Sequence, residues 1–480
     1  MSVHNSDAAA ADWGLLIDGR WVDRHTRLEV RNPYTGELVG RIVTGTADDV
    51  GRAVEAACAA LDHEFPVHAR YTVLTRAADR VEASADEYAW TIAREGSKAI
   101  REARREPPRA ATILRLAAEE ARRMAGETLP FDLRVGSEHR VGYYVRVPAG
   151  VVGAITPFND PLAMAAHKVA PALAAGNAVV LKPATATPFS ALRLARDLVD
   201  AGLPAGRLNV VTGRGGEVGE ALAADRRVRV LTFTGGVETG ERLTRIAGIK
   251  KLAMELGSNS PVIVLPDAML DRAVEASVAG AFAQAGQNCL GVQRLLVHED
   301  VYDAFRDRFV AAVGALRAGA STDETTDVCA MIDETQAARV ERWVREAVDR
   351  GARMLVGGPR DGALVPPTVL EQVPDGVALD CEEAYGPVVS LYRVPSLDAA
   401  IRRANAVAYG LHAAIFTERL RDAFEAARRL DVGAVIVNDS TDYRLDVMPF
   451  GGSKLSGIGR EGIRFAMQET TETRVVCFNL

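Results

Sequence analysis

Cys289 is the residue whose setting most invites chemistry. It sits in Gly286-Gln-Asn-Cys-Leu-Gly291. A lone cysteine on an apolar helix is usually a small packing residue, and only the thiolate is a nucleophile. The flanking Gly286 and Gly291 and the polar Gln287 and Asn288 are not what apolar packing asks for, whereas glycine lets backbone close on a substrate. Two glycine-rich turns point to an anion. Gly213-Arg-Gly-Gly-Glu-Val-Gly219 follows an apolar run and opens a helical pattern, but departs from GxGxxG spacing and is equally explained as a plain strand-to-helix turn. In Phe233-Thr-Gly-Gly-Val-Glu-Thr-Gly240, Gly235 and Gly236 precede a helix whose free N–H groups favour a phosphate. Lys182 ends the run Ala178-Val-Val-Leu-Lys182, where a ligand would meet a sheet. A strand-end lysine is ordinarily a solvated charge; with both turns it favours a nucleotide.

The elements that must position these residues alternate between 150 and 267. Continuous apolar runs predict buried strands at Val151–Thr156, Ala178–Leu181, Leu208–Val211, Val228–Phe233 and Pro261–Leu265. Helical patterns lie between them at Leu162–Ala175, Ser190–Ala201, Val218–Ala223 and Gly240–Ala247, with Gly176, Pro183, Pro204 and Gly235 at the junctions. Such alternation implies a parallel, doubly wound sheet whose ligands sit beyond the strand C-termini. Upstream, Tyr71–Arg94 and Arg109–Gly126 carry amphipathic stripes. A second alternating region runs from about Val262 to Val437. Arg140–Val147 and Thr473–Phe478 read as edge strands, suited to subunit contact or to a peripheral hairpin.

Composition narrows the class. Of 480 residues, 48% are apolar and 25% charged, which excludes a mainly disordered chain. A net charge of −7 offers no general attraction to nucleic acid or an anionic membrane. The five cysteines, Cys58, Cys289, Cys329, Cys381 and Cys477, include no CxxC pair, and the histidines show no ligand spacing, so no metal site is expected. Asp7 and Asp12 stand where a secretion signal needs an apolar core. The apolar stretch Val169–Leu181 falls short of the ~20 residues that cross a bilayer. A cytoplasmic enzyme without nucleic-acid or membrane partners is expected.

Six motifs then occur in one order: Gly153-Ala-Ile-Thr-Pro-Phe-Asn159, Leu181-Lys-Pro183, Met254-Glu-Leu-Gly257, Gly286-Gln-Asn-Cys289, Glu382-Glu-Ala-Tyr-Gly-Pro387 and Pro449-Phe-Gly-Gly-Ser-Lys-Leu-Ser-Gly457. With them the chain resembles the aldehyde dehydrogenase superfamily, from about Leu16 to its C-terminus. The resemblance implies an α/β fold with two doubly wound domains and a small β oligomerisation arm. It places a cofactor-binding domain at 1–127 and 148–253, a catalytic domain at 254–465, and the arm at 128–147 and 466–480, in a homodimer or homotetramer. It implies NAD- or NADP-dependent oxidation of a small-molecule aldehyde. Cys289 would be the nucleophile, passing through a thiohemiacetal and a thioester. Asn159 and the Cys289 N–H would hold the oxyanion, and Glu255 would activate the hydrolytic water. Glu383, beside Tyr385, would hold the nicotinamide ribose and Lys182 the adenosine ribose. Thr156, Phe158, Thr185, Gly213, Glu217, Phe233, Gly235 and Gly236 would line the rest of the cofactor.

Each role has a plainer counterpart. Asn159 could cap the helix beginning near Pro161, while Glu382 reads as a surface charge. Glu255, in an apolar strand, would be costly to bury without partners, which favours function. Departures from the family pattern sharpen the expectations. Thr185 stands where NAD-preferring relatives often carry Glu, so NADP should be usable. Gly236 replaces a common Ser, Ser258 a common Gly, and Phe158 a common Trp. Asn288 stands where relatives acting on phosphorylated aldehydes carry Arg, leaving Arg109 and Arg444 as candidates for binding a small acidic or hydroxylated aldehyde. A CoA-acylating dehydrogenase and a catalytically silent binding member are the alternatives; retained Glu255 speaks against the first, and intact Cys289, Asn159 and Glu255 against the second.

Overall fold

The computed structural model describes residues 11–480; Asp7 and the first ten residues of the segment 1–127 lie outside them. Strands Val151–Ile155 and Ala178–Lys182 are buried at every position. A strand covered on both faces must have helices above and below, the setting of a parallel sheet. Five parallel strands do form the centre of an eight-stranded sheet, in the spatial order Lys251–Glu255, Val228–Thr234, Val151–Ile155, Ala178–Lys182, Leu208–Val210. The chain runs outward from Val151–Ile155 in one direction, then returns to its other side with Val228–Thr234. That reversal leaves a crevice beyond the C-terminal ends of these strands. Gly457–Ile458, from far along the chain, pairs antiparallel with Met254 and Glu255 and closes one edge.

The strand expected at Pro261–Leu265 forms as Ser260–Val264 but belongs to a second, seven-stranded sheet, between Val292–His298 and His412–Phe416. An apolar run specifies burial, not which sheet supplies it. The helix expected over Tyr71–Arg94 is two, Val67–Ala83 and Ala85–Gly96. Ser84 breaks it: its Oγ donates to the Arg80 carbonyl at 2.8 Å, a local bond that competes with helix continuation. The next helix is Glu106–Ala121, begun earlier than Arg109 because Pro107 and Pro108 fit a first turn. The glycine-rich Gly215–Gly219 makes one wide π-turn before the short helix Glu220–Ala224.

Arg140–Pro148 and Thr471–Asn479 pair antiparallel over nine positions, with Glu127–Thr128 on the far side of the first. Thr471–Asn479 is the outer strand of this small sheet, and Val141, Tyr143, Val475 and Phe478 are exposed on it. Among the described residues no helix is long and apolar enough to cross a membrane, and no acidic, histidine or cysteine cluster could hold a metal ion.

Candidate active site

The two large sheets face each other across a cavity of about 1310 Å³. The first sheet contributes strand C-termini: Thr156 to Asn159 after Val151–Ile155, Thr234 to Gly236 after Val228–Thr234, and Glu255 at the end of Lys251–Glu255. The second contributes segments that precede its strands: Cys289 before Val292–His298, and Glu383 with Tyr385 before Val388–Val394. Cys289, Glu255, Asn159, Thr156, Phe158, Phe233, Gly235, Gly236, Glu383, Tyr385, Arg109 and Arg444 all line this space. Lys182, Thr185, Gly213 and Glu217 do not; they gather at the neighbouring ends of Ala178–Lys182 and Leu208–Val210. There the Thr185 Oγ1 donates to the Gly213 carbonyl at 2.8 Å, and the Lys182 Nζ to the Pro183 carbonyl at 2.8 Å. Glu217 is exposed on the π-turn. Burial lowers the Lys182 ammonium to about 8.

Cys289 lies in a loop and is half-buried against the cavity. Three consecutive left-handed residues precede it, Gln284 (φ +53°), Ala285 (φ +54°) and Gly286 (φ +68°). The first two carry side chains and cost about 1–2 kcal/mol each. Gly286 is needed for a second reason: a Cβ there would stand 2.1 Å from the Gly386 carbonyl oxygen. Burial, then Glu383, push the Cys289 thiol up; Arg444 works the other way. Glu255 is 4% exposed, and its Oε2 is buried without a partner. Burial and then the Glu461 carboxylate hold its acid form well above the usual range, opposed by Arg444 and Lys168. Glu383 accepts the Ser258 N–H at 2.9 Å, and burial raises it to about 7. Its approach depends on Gly257, whose Cβ would fall 2.4 Å from the carboxylate. Tyr385 packs edge-on to Phe158, ring centroids 5.8 Å apart. Asn159 does not cap the following helix: Asp160 occupies the cap position, and Glu106 accepts the Leu162 and Ala163 N–H groups at 2.8 and 2.9 Å. The Asn159 Oδ1 is buried and unpartnered.

The two arginines differ from solvated surface charges and from each other. Arg444 is 7% exposed, donates to Glu461 at 3.1 Å, stacks 3.6 Å above the Phe450 ring, and leaves its Nε buried without a partner. Glu461 is shared with the buried Lys168 Nζ at 2.9 Å. Arg109 is more open and already matched by carboxylates, Asp446 at 2.9 Å and Asp160 at 3.7 Å. Asp446 also accepts from the His167 Nε2 at 2.8 Å; burial and then Arg444 lower that imidazole to about 4, so it is neutral.

Residues 21–476 match the family model described as the aldehyde dehydrogenase family. The chain belongs to the aldehyde dehydrogenase family. It is 48% identical to aspartate-semialdehyde dehydrogenase 1 of Pseudomonas canavaninivorans, over 94% of this chain and 97% of that one. It is 45% identical to 3-sulfolactaldehyde dehydrogenase of Priestia aryabhattai, over 98% of each. The solved aldehyde dehydrogenase 21 of Physcomitrella patens, in complex with its reaction product succinate, superposes with a TM-score of 0.96 at 38% identity, over 98% of this chain and 99% of that one. The enzyme's reaction is therefore NAD(P)-dependent aldehyde oxidation, and its α/β fold is that of the family.

Sequence reasoning named the residues of this dehydrogenase's cavity that sit in motifs, and missed the buried charges behind them. Lys168 and Asp160 share one helix and its cap, while Glu461 and Lys98 come from two distant segments, and no motif relates them. One signal was present. His167-Lys168 interrupts a helix, Pro161–Ala174, that is otherwise buried and almost wholly apolar, and buried charges need partners.

Proposed function

We propose that this enzyme is a hydrolytic aldehyde dehydrogenase for a small acidic or hydroxylated aldehyde, with Arg444 as the principal anion contact. The observation that carries the reading is the Arg444 guanidinium, largely buried yet on the wall of the cavity that also presents Cys289 and Glu255. Two relatives act, by name, on aspartate semialdehyde and 3-sulfolactaldehyde, small aldehydes that each carry an acid group. Arg109, already neutralised by two carboxylates, serves better as a wall than as a counter-ion.

In this reading the Cys289 thiol gives its proton to solvent water, Sγ bonds to the aldehyde carbon, and the oxyanion takes hydrogen bonds from the Asn159 amide and the Cys289 N–H. Bound nicotinamide supplies the acceptor for the hydride that leaves this carbon, and the product on Cys289 is a thioester. Glu255 takes a proton from the water that attacks the thioester; the C–S bond breaks, the acid leaves, and the proton on Glu255 returns to Sγ to restore the thiol. The free Oε2 of Glu255 suits that task, and Arg444 and Lys168 pull its raised acid back toward the working range. The residues fit a dinucleotide. Gly257 admits Glu383 toward a ribose, Gly235 and Gly236 open a helix start, and Lys182 and Thr185, at and just beyond the end of one strand, would face a 2′-substituent. Thr185 brings no carboxylate to repel a 2′-phosphate, so NADP is accepted beside NAD.

We further assign 1–127 and 148–253 to cofactor binding, 254–465 to catalysis, and 128–147 with 466–480 to assembly. The unpaired edge of Thr471–Asn479 and the edge strand Ala434–Val437, with Val437 exposed, support pairing between copies as a homodimer or homotetramer. The five free cysteines fit a reducing cytoplasm.

The test is initial-rate formation of reduced nicotinamide over neutral, hydroxylated, carboxylated and sulfonated aldehydes of matched length, with NAD and with NADP. Anionic aldehydes should lead, and Cys289→Ala should abolish turnover. Equal kcat/KM for neutral and anionic aldehydes would overturn the substrate class. A requirement for CoA would overturn the hydrolytic one.

A further inference from the structure

Asp160 caps the helix Pro161–Ala174 by position alone; its side chain makes no cap bond. Its carboxylate turns sideways instead. Oδ1 accepts from the Lys98 Nζ and, at 2.8 Å, from the Gln284 Nε2, and Oδ2 lies 3.7 Å from Arg109. Lys98 in turn donates to Glu106 at 2.9 Å, the residue that accepts the helix's first N–H groups. Burial opposes ionisation of Asp160, but Lys98 and then Arg109 outweigh it and hold the carboxyl well below its usual range.

Gln284 is the entry to the left-handed turn before Cys289. Residues with side chains rarely adopt that backbone and persist there only when the surroundings over-determine it. Two contacts hold Gln284 from outside: its N–H donates to Glu102 at 3.1 Å and its side-chain amide to Asp160. The two donors of the proposed oxyanion site, the Asn159 amide and the Cys289 N–H, ride on different segments. Asp160 meets both, being the next residue after Asn159 and bonded to the turn that leads into Cys289.

We infer that Asp160 is a positioning residue that sets the spacing of the two oxyanion donors, by fastening the Asn159 loop to the strained turn through Gln284. This rests on the oxyanion reading above. A donor misplaced by about 1 Å costs on the order of 10²-fold in rate.

The experiment compares Asp160→Ala and Gln284→Ala, alone and combined with Asn159→Ala, in single-turnover hydride formation with a neutral aldehyde. Gln284→Ala leaves the Lys98 ion pair intact, so it reads the same link if Asp160→Ala fails to fold. Each single variant should lose about 10- to 100-fold in rate, with KM and the alkylation rate of Cys289 by iodoacetamide near wild type. Added to Asn159→Ala, either substitution should cost less than about twofold, because groups that act as one unit are not additive. A wild-type rate in both single variants, or a full multiplicative loss in the Asn159→Ala background, overturns the inference. If Asn159→Ala alone leaves the rate unchanged, the oxyanion reading itself fails.

Discussion

The two ends of the cavity are built on opposite principles. The cofactor end is mostly backbone: glycines at strand ends, a helix start, a lysine that donates to its neighbour's carbonyl. The substrate end is a buried lattice of charges, in which Arg444, Lys168 and Glu461 form one group and Asp446, Arg109, Asp160, Lys98 and Glu106 another. Backbone recognition suits a ligand shared across a family, because it asks only for a chain path. Side-chain recognition can be altered one residue at a time, but each buried charge then depends on its neighbours.

That dependence gives the largest expected effect. Lys168→Met leaves Glu461 with a single cationic partner, and Glu461→Gln leaves both Lys168 and Arg444 short of one. Removing one side of a buried pair costs about 3–5 kcal/mol, so either variant should lose that much in urea unfolding. Thr185→Ala, at the backbone-built end, should change stability by less than about 1 kcal/mol, the worth of one ordinary hydrogen bond. Equal losses at the two ends would break the comparison.

Arg444→Met comes next. With an anionic aldehyde, kcat/KM should fall about 10²-fold, the worth of a charge-assisted contact in a low-dielectric site. With a neutral aldehyde of the same length the fall should stay within about tenfold, since Arg444 also tunes Cys289 and Glu255. Arg109→Met should discriminate less between the two aldehydes, its charge being already matched. At the other end, Thr185→Glu should lower kcat/KM for NADP by about 10- to 100-fold while sparing NAD, by Coulomb repulsion near the 2′-phosphate. NADP turnover unchanged in Thr185→Glu would place the adenosine elsewhere.

The same contrast explains what the sequence reveals. Val151–Ile155 with its Asn159 loop, and Val228–Thr234 with Gly235 and Gly236, are contiguous strings, so strand, turn and ligand-facing residue can be read together. Glu255, Cys289 and Glu383 each sit in a short motif. The second charged lattice is assembled from positions 98, 106, 109, 160 and 446; one helix holds 106 and 109, and tertiary folding brings the others to it. Arg109 and Arg444 looked interchangeable as residue types; only their partners show that Arg109 faces two carboxylates while Arg444 has one, which it shares with Lys168. Local chemistry failed in smaller ways as well, where Ser84 divides a helix and Ser260–Val264 joins the other sheet.

The smallest effect is a pH dependence that separates the two halves of the cofactor site. Glu383 is raised to about 7 by burial, and as the ribose contact it must accept hydrogen bonds, which favours the carboxylate. A ligand that prefers the ionised form binds more tightly as pH rises through 7, and protonation competes with it below. Between pH 6 and 8 the ionised fraction grows from roughly one tenth to nine tenths, so the NAD dissociation constant should fall about tenfold. Lys182, lowered to about 8, acts with the opposite sign: its cation helps a 2′-phosphate and is lost above that pH. NADP affinity should therefore peak between about 7 and 8, while NAD affinity rises to a plateau. Fluorescence titration of cofactor binding across this range checks both curves. In Glu383→Gln the acid limb for NAD should vanish; if it persists unchanged, the proton belongs to another group and Glu383 is not the ribose acceptor.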